Sequence, residues 1–385
     1  MRDLRKTAIL MTAACLSLAP ATSLNAAGSL PPHAQSAGKM TAAAQSFIQT
    51  LDADQREAIV HPLHDAGRTS WSNFPIIMVR PMGMLLGDLN DDQRRALHDL
   101  LRASLSTQGY AKASGIMRLD DLLSEIEKAR LENDPDSGED PFRRAFVETY
   151  GSDHYTVALF GEPAKGDWGW KLAGHHLAAN FTVSDGHVGF TPMFAGSNPT
   201  TIETGPYAGW MAMPHEAGRG IDLMLSLSDA QRQAATIADV VANDVFEGPG
   251  RRASLEKYEG LKADELSVAQ MRLLRALVEE YVGNAGSDSA AAQLELIDKS
   301  GWDELWFSWR GPVDLHGEFY YRVHGPRLLI EYNRQDPTHD HTVMRDPVND
   351  YGEDWLEYHY REYHPSLEEA LDNARRRAQA AQSND

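Results

Sequence analysis

Helix-patterned and strand-patterned stretches fall in separate blocks along this chain, and that arrangement narrows its fold more than any other feature. Apolar residues recur at three- and four-residue spacing in Gln93–Leu105, Leu119–Leu131, Ile221–Ala242 and Ser267–Val282, the signature of helices with one buried face. Aromatic and β-branched residues bounded by turn signals mark strands at Tyr155–Phe160, Trp170–Val183 and Val188–Phe194. A second strand block, Leu305–Arg310, Glu318–Val323, Leu328–Tyr332 and His341–Met344, reads as an antiparallel meander joined by Gly311-Pro312, Gly325-Pro326 and the loop 333–338. Two closing helices are expected at Glu353–Tyr363 and Leu367–Gln382, the latter capped by Ser366-x-x-Glu369. Without βαβ alternation the blocks imply an α+β fold, antiparallel sheet packed with helices, in a single large domain over 41–385. Its helical part would run over about 41–150 and its mixed part over 151–385.

Four helix starts are written in the same way. Asp52-x-x-Gln55, Asn90-x-x-Gln93, Ser228-x-x-Gln231 and Ser267-x-x-Gln270 are capping boxes, each preceded by a leucine that can staple the chain's entry. Their uneven spacing argues against a solenoid. The stretches 283–292 and 134–140 read as loops. The acidic one lacks the glutamate that an EF-hand requires, since Ala145 stands in its place.

The N-terminus reads as a secretory signal. Arg2, Arg5 and Lys6 precede a short apolar run from Thr7 to about Leu18, Pro20 breaks it, and Ala26 and Ala27 offer a cleavage site. Residues 1–26 are therefore expected to be removed, 27–40 to be a flexible lead-in, and the mature protein to be exported, periplasmic or extracellular. Cys15 is the only cysteine and leaves with the signal. Disulfides and thiolate ligands are thus excluded from the mature chain, and any metal must be held by nitrogen and oxygen.

The chain carries a formal net charge of −20. Loss of the signal removes three basic residues and one acidic residue and leaves −22. So acidic a protein is not expected to bind nucleic acid or an anionic membrane surface, and no later segment is long and apolar enough for stable membrane insertion. No phosphate loop or dinucleotide fingerprint is present, so no nucleotide cofactor is expected; Gly-x-Ser-x-Gly and His-Glu-x-x-His are also missing.

The sharpest chemical feature is His339-x-His341. On a strand both imidazoles project from one face, and a hairpin partner of even register would bring Glu331 to that face. Two histidines and a carboxylate suit a divalent transition metal, whether zinc, iron or copper. Asp346 is the candidate to orient a ligand or act as a base. His359, on a helix face with Trp355 and Tyr363, and His176 are candidates for an added ligand or proton carrier. Read as a strand, 174–182 places His176 and Asn180 on one polar face, and Arg322 suits an anionic group; Asn180 and Arg322 are thus the substrate-binding candidates. The tryptophans beside these segments read mainly as core.

Leu51-Asp52-Ala53-Asp54-Gln55-Arg56, Trp71-Ser72-Asn73-Phe74-Pro75, Gly109-Tyr110, Phe160-Gly161-Glu162-Pro163, Trp168-Gly169-Trp170, Gly174-His175-His176-Leu177, Phe181-Thr182-Val183, Thr191-Pro192, Gly325-Pro326, Glu331-Tyr332 and His339-x-His341-x-x-x-Arg345-Asp346-Pro347 together resemble a bacterial and fungal family, domain of unknown function 3500. The resemblance implies a shared fold and that these His and Glu positions belong to the family pattern; it brings no activity. The expected function is an exported metal-dependent enzyme, hydrolytic in preference to oxidoreductive, acting on a small molecule, sugar or peptide. The alternative is a non-catalytic extracytoplasmic ligand-binding protein.

Overall fold

The computed structural model describes residues 34–133 and 140–363. The expected signal segment, most of the acidic loop and the last expected helix lie outside them. Among the described residues, thirteen strands form one open mixed sheet, and ten helices complete an α+β architecture. The sheet runs β1 (Val60–His61), β3 (Thr156–Gly161), β4 (Trp168–Gly174), β5 (Leu177–Ser184), β7 (Met193–Ser197), β13 (His339–Arg345), β12 (Leu328–Asp336), β11 (Phe319–Gly325), β10 (Trp306–Arg310), β8 (Thr236–Ala238). Off this path, β2 (Met84–Leu85) pairs with β3, β6 (His187–Gly189) with β5, and β9 (Leu261–Lys262) with β10.

That order reads the same from both edges, because the chain builds one plan twice. In the first half, α2 (Ala53–Ile59) leads into β1, which lies parallel to β3; β2 pairs antiparallel with β3 and leads to α3 (Asp91–Ser104). In the second half, α7 (Asp229–Ala235) leads into β8, parallel to β10; β9 pairs antiparallel with β10 and leads to α8 (Val268–Val282). The four capping boxes are the starts of these four helices. Their glutamines interlock in pairs, Gln55 with Gln93 and Gln231 with Gln270, at separations of 38 and 39 residues. The uneven spacing of the boxes thus reflects two nested pairs. The halves join through β7 and β13, where Met193 faces Met344, and through a bridge from Leu105 to Ala285 in the helical layer.

The helices α1 (Ala34–Gln49), α4 (Thr107–Asn133), α5 (Pro141–Val147), α6 (Glu216–Ser226), α9 (Ser287–Ser300) and α10 (Glu353–Tyr363) complete the chain. α1 packs on α3 as α6 packs on α8. One sheet face is apolar and carries the main core, including Trp168, Trp170, Phe181, Trp309, Phe319, Tyr321 and Tyr332. Of the tryptophans expected as core, Trp168, Trp170, Trp302 and Trp309 are buried there while Trp306 and Trp355 are half-buried, and Trp309 stacks on Phe319 at 4.9 Å.

The opposite face is polar and also buried, with Lys171, Asn180, Arg322, Glu331, Asn333, His341 and Arg345 beneath long loops that follow β1 and β8. Burying such groups is costly unless each finds a partner. Lys171 donates to the carbonyls of Gly67 and Ser70 at 2.5 and 2.6 Å, and Arg322 at the corresponding place in the second half pairs with Glu259 at 3.0 Å. One cation per half thereby anchors the loop above it. A small apolar cluster, Trp71, Ala173, Ala178, Phe194, Val245, Val343 and Tyr351, fills the remaining space on this face.

Several expected boundaries move. Helix α1 begins at Ala34, inside the expected lead-in. The stretch 221–242 is not one helix: the box at Ser228 restarts it, and β-branched Thr236 and Ile237 pass into β8. The small residues 287–292, read as loop, open α9, where buried Ala290 and Ala292 permit close packing. The segment 170–183 is a hairpin, β4 and β5, turning at His175-His176.

Candidate metal centre

That hairpin turn overturns the strand reading of His176 and gives it a different role. Gly174 and Leu177 form the last pair of β4 and β5, so His175 and His176 are the two loop residues. His176 has φ +64°, a left-handed conformation uncommon for a side chain of this size. Three contacts hold it. Its N–H donates to the Asn73 carbonyl at 3.1 Å, its carbonyl accepts from Gly196 N–H at 2.7 Å, and its ring lies over Gly196. A Cβ at Gly196 would stand 2.8 Å from His176 Cδ2, so only glycine leaves the imidazole its place.

β13 brings the other two histidines. His341 lies opposite Gly196 of β7 on one side and Asn333 of β12 on the other. A register shift between Arg334 and Asp336 carries the hairpin past its regular end and sets Asp336 opposite His339. Between the histidines, Asp340 points to the other face and accepts Nε and Nη2 of Arg334 at 2.7 and 3.0 Å, which fixes the strand.

Ligand atoms of His176, His339 and His341 converge within 4.8 Å of one another, so the three have the geometry to hold a metal ion. Nε2 of His176 and Nε2 of His339 are 2.8 Å apart. A tetrahedral ion with bonds of about 2.0–2.1 Å spaces its nitrogens by about 3.3 Å, so binding needs ring shifts on the order of 1 Å. The outer nitrogens are already engaged: His341 Nδ1 meets Asp244 Oδ1 at 2.8 Å, and His339 Nδ1 accepts from Gln335 Nε2 at 2.8 Å, so a lone pair on His339 Nε2 requires the Gln335 amide to turn its oxygen to Nδ1. A carboxylate behind an imidazole fixes the tautomer, leaving the inner Nε2 as the lone-pair donor. His341 Nε2 is buried and has no protein partner.

Electrostatics favour the same state. Burial, then the neighbouring His341, bring His339 down to about 3. Burial, then His175, His339 and His341, push His176 well below its ordinary value. Burial raises the Asp244 carboxyl, but the hydrogen bond and charge of His341 outweigh this and hold it below its usual range. Neutral imidazoles backed by a carboxylate are ready metal donors. On the outer side His175 stacks against His176 at 3.7 Å, and its Nδ1 meets Asp120 at 2.6 Å.

The other expected site residues are placed elsewhere. Glu331 does share a face with His341, as its even register required, but it lies opposite Val343, two residues beyond that histidine. Its carboxylate accepts from the N–H groups of Phe246 and Glu247 and from the Tyr320 hydroxyl, at 2.7–2.8 Å, so it anchors the loop after β8 in place of joining the histidines. Asp346 accepts Arg327 Nη2 at 2.8 Å, with further bonds from Gln293 and the N–H groups of Val348 and Asn349; those donors occupy the carboxylate expected to act as a base. His359 on α10 lies 3.9 Å from Asp167, outside the histidine group. Arg322 is buried and pairs with Glu259 through Nη2, and Asn180 Nδ2 donates to the Pro192 carbonyl at 2.8 Å, while Arg322 Nε and Asn180 Oδ1 are buried without a protein partner.

Asp244, Gln335 and Gly196 were not identified from sequence. Asp244 is 97 residues from His341, in a stretch following an expected helix, and nothing local marks it. Gln335 lay in the expected hairpin loop. No helix among the described residues is long and apolar enough to cross a membrane. No curated protein and no solved structure matches the chain. The family model described as protein of unknown function (DUF3500) matches residues 33–353, and the chain belongs to that family.

Proposed function

We propose that the protein is an exported metal-dependent enzyme whose ion is held by Nε2 of His176, His339 and His341, with hydrolysis as its chemistry. The observation that carries this reading is His341, which has a carboxylate fixed on Nδ1 while its Nε2 is buried without a protein partner beside two more imidazole nitrogens. Among the described residues no group hydrogen-bonds that nitrogen. The thiolate-free donor set fits zinc, iron or copper, and three protein ligands leave positions for water or substrate. A zinc ion so held would supply a bound water of near-neutral pKa. The chain's own part is to keep His176 and His339 neutral by burial, to orient His341 and His339 through Asp244 and Gln335, and to exclude bulk water with the Trp71 and Phe194 cluster. Export is supported by the basic, apolar and small-residue sequence at the N-terminus.

Metal analysis of the protein purified from its native compartment tests the reading. About one equivalent of a transition metal is expected, and none in the His339→Ala/His341→Ala variant. A wild-type protein that neither contains nor takes up a metal overturns the proposal.

A further inference from the structure

The segment Trp71-Ser72-Asn73-Phe74-Pro75 hydrogen-bonds the histidine group through one carbonyl, that of Asn73, which receives the His176 N–H. Its side chain presents an unsolved balance. Asn73 is 1% exposed, yet neither Nδ2 nor Oδ1 has a protein partner. A buried amide left unpaired is destabilising, and an aliphatic residue of the same shape would serve a purely structural purpose better. The adjoining Trp71 ring packs on Phe194, which in turn packs on His341, so this loop covers the same face as the histidines. A second amide repeats the pattern. Asn333 lies directly opposite His341; its Nδ2 donates to Ala242 in the loop that carries Asp244, and its Oδ1 is buried without a partner.

We infer that the Asn73 amide is a ligand-binding group of the metal site, and that it selects a small uncharged molecule bearing an amide or ureide. The inference rests on the proposed metal site. An asparagine amide offers a donor and an acceptor in one plane and no charge. Its best complement is another planar group that accepts and donates side by side. The cations nearest this face each pair with a carboxylate, Arg322 with Glu259 and Arg345 with Asp350, although Arg322 Nε keeps no protein partner. A carbonyl oxygen turned towards the ion, with its N–H received by Asn73 Oδ1, uses both features at once. Asn333 Oδ1 is placed to take a second N–H of such a molecule.

The test loads the full mature chain with cobalt(II) and follows its visible spectrum during titration with acetohydroxamate, a small metal-binding amide analogue, and with azide, which binds the metal without an amide. In Asn73→Leu, acetohydroxamate is expected to bind at least tenfold more weakly than in wild type. Azide affinity and the cobalt spectrum should stay the same, and the melting temperature should be equal or higher. Asn73→Asp, which keeps the Oδ1 acceptor, should retain acetohydroxamate binding to within about threefold of wild type. Equal affinities in wild type and both variants, or parallel losses for the two probes, overturn the inference, as does a lowered melting temperature with unchanged acetohydroxamate binding. If wild type binds no cobalt, the metal reading itself fails and this inference falls with it; if cobalt binds but the probes do not discriminate, only this inference falls.

Discussion

The two halves of the sheet use one backbone plan for different chemistry, most visibly at corresponding hairpin turns. Between β4 and β5 the turn is His175-His176, and His176 reaches across to His339 and His341 of the other half. Between β11 and β12 the turn is Pro326-Arg327, and Arg327 instead grips Asp346 just after β13. One turn leads to a group of imidazoles with an unpartnered ring nitrogen on His341, the other to an ion pair in which donor and acceptor satisfy each other. The repeated plan gives two equivalent places for a side chain beside the central strands. Only the one with glycine in the neighbouring strand, Gly196, leaves room for a ring; at the other, the chain spends the same reach on holding itself together.

Substitutions that separate stability from metal binding test this contrast. The largest effect is expected from Arg327→Ala, which leaves the buried Asp346 charge uncompensated. It should cost about 3–5 kcal/mol in chemical denaturation while metal affinity is unchanged. If it abolishes metal binding in protein that is still folded, the two turns are not independent. Gly196→Ala should do the converse, lowering metal affinity by about 100-fold as the added methyl displaces the His176 ring, with a smaller change in stability; competition against a chelator measures it. Asp244→Ala removes the carboxylate behind His341 and should weaken the metal by some tens of fold, within the roughly 10–100-fold usual for such partners. Unaltered affinity would show that Asp244 does not orient the ligand.

The smallest effect is one of pH. His339 is held at about 3 in the fold, and it returns to about 6.5 on unfolding. Between those values the unfolded chain binds the proton first, so metal-free protein has its full stability from this source above pH 6.5 and loses it as the pH falls towards 3. Between pH 7 and pH 5 the loss should be about 2 kcal/mol greater in wild type than in His339→Leu. Equal pH dependence in the two proteins would show that His339 is not held neutral by burial.

Features set by near neighbours were legible in the sequence. The four capping boxes start four helices, because a cap and its glutamine are three residues apart and need no tertiary information. His339-x-His341 placed two imidazoles on one face by strand alternation alone. Glu331 shows where that logic stops. Parity put it on the correct face, but register along the face depends on the bulge at Arg334 and Asp336, and a shift of two residues replaced a ligand by an anchor. His176 was selected for the wrong reason, since a hairpin turn rather than a strand face delivers it. Asp244 was out of reach because its only signal is a partner 97 residues away. The doubling of the fold was written in the glutamine separations, but it became visible only when the interlocked pairs were seen in space.

The seam at β7 and β13 gives the histidine group one more property. One of its donors comes from the first half of the chain and two from the second, so neither half possesses the site by itself. Coordination by all three histidines would then need the early- and late-synthesised parts of the polypeptide to have met. An ion held by all three would act as a clasp across the seam, and its full coordination during refolding would time the moment when the two halves of the sheet become one.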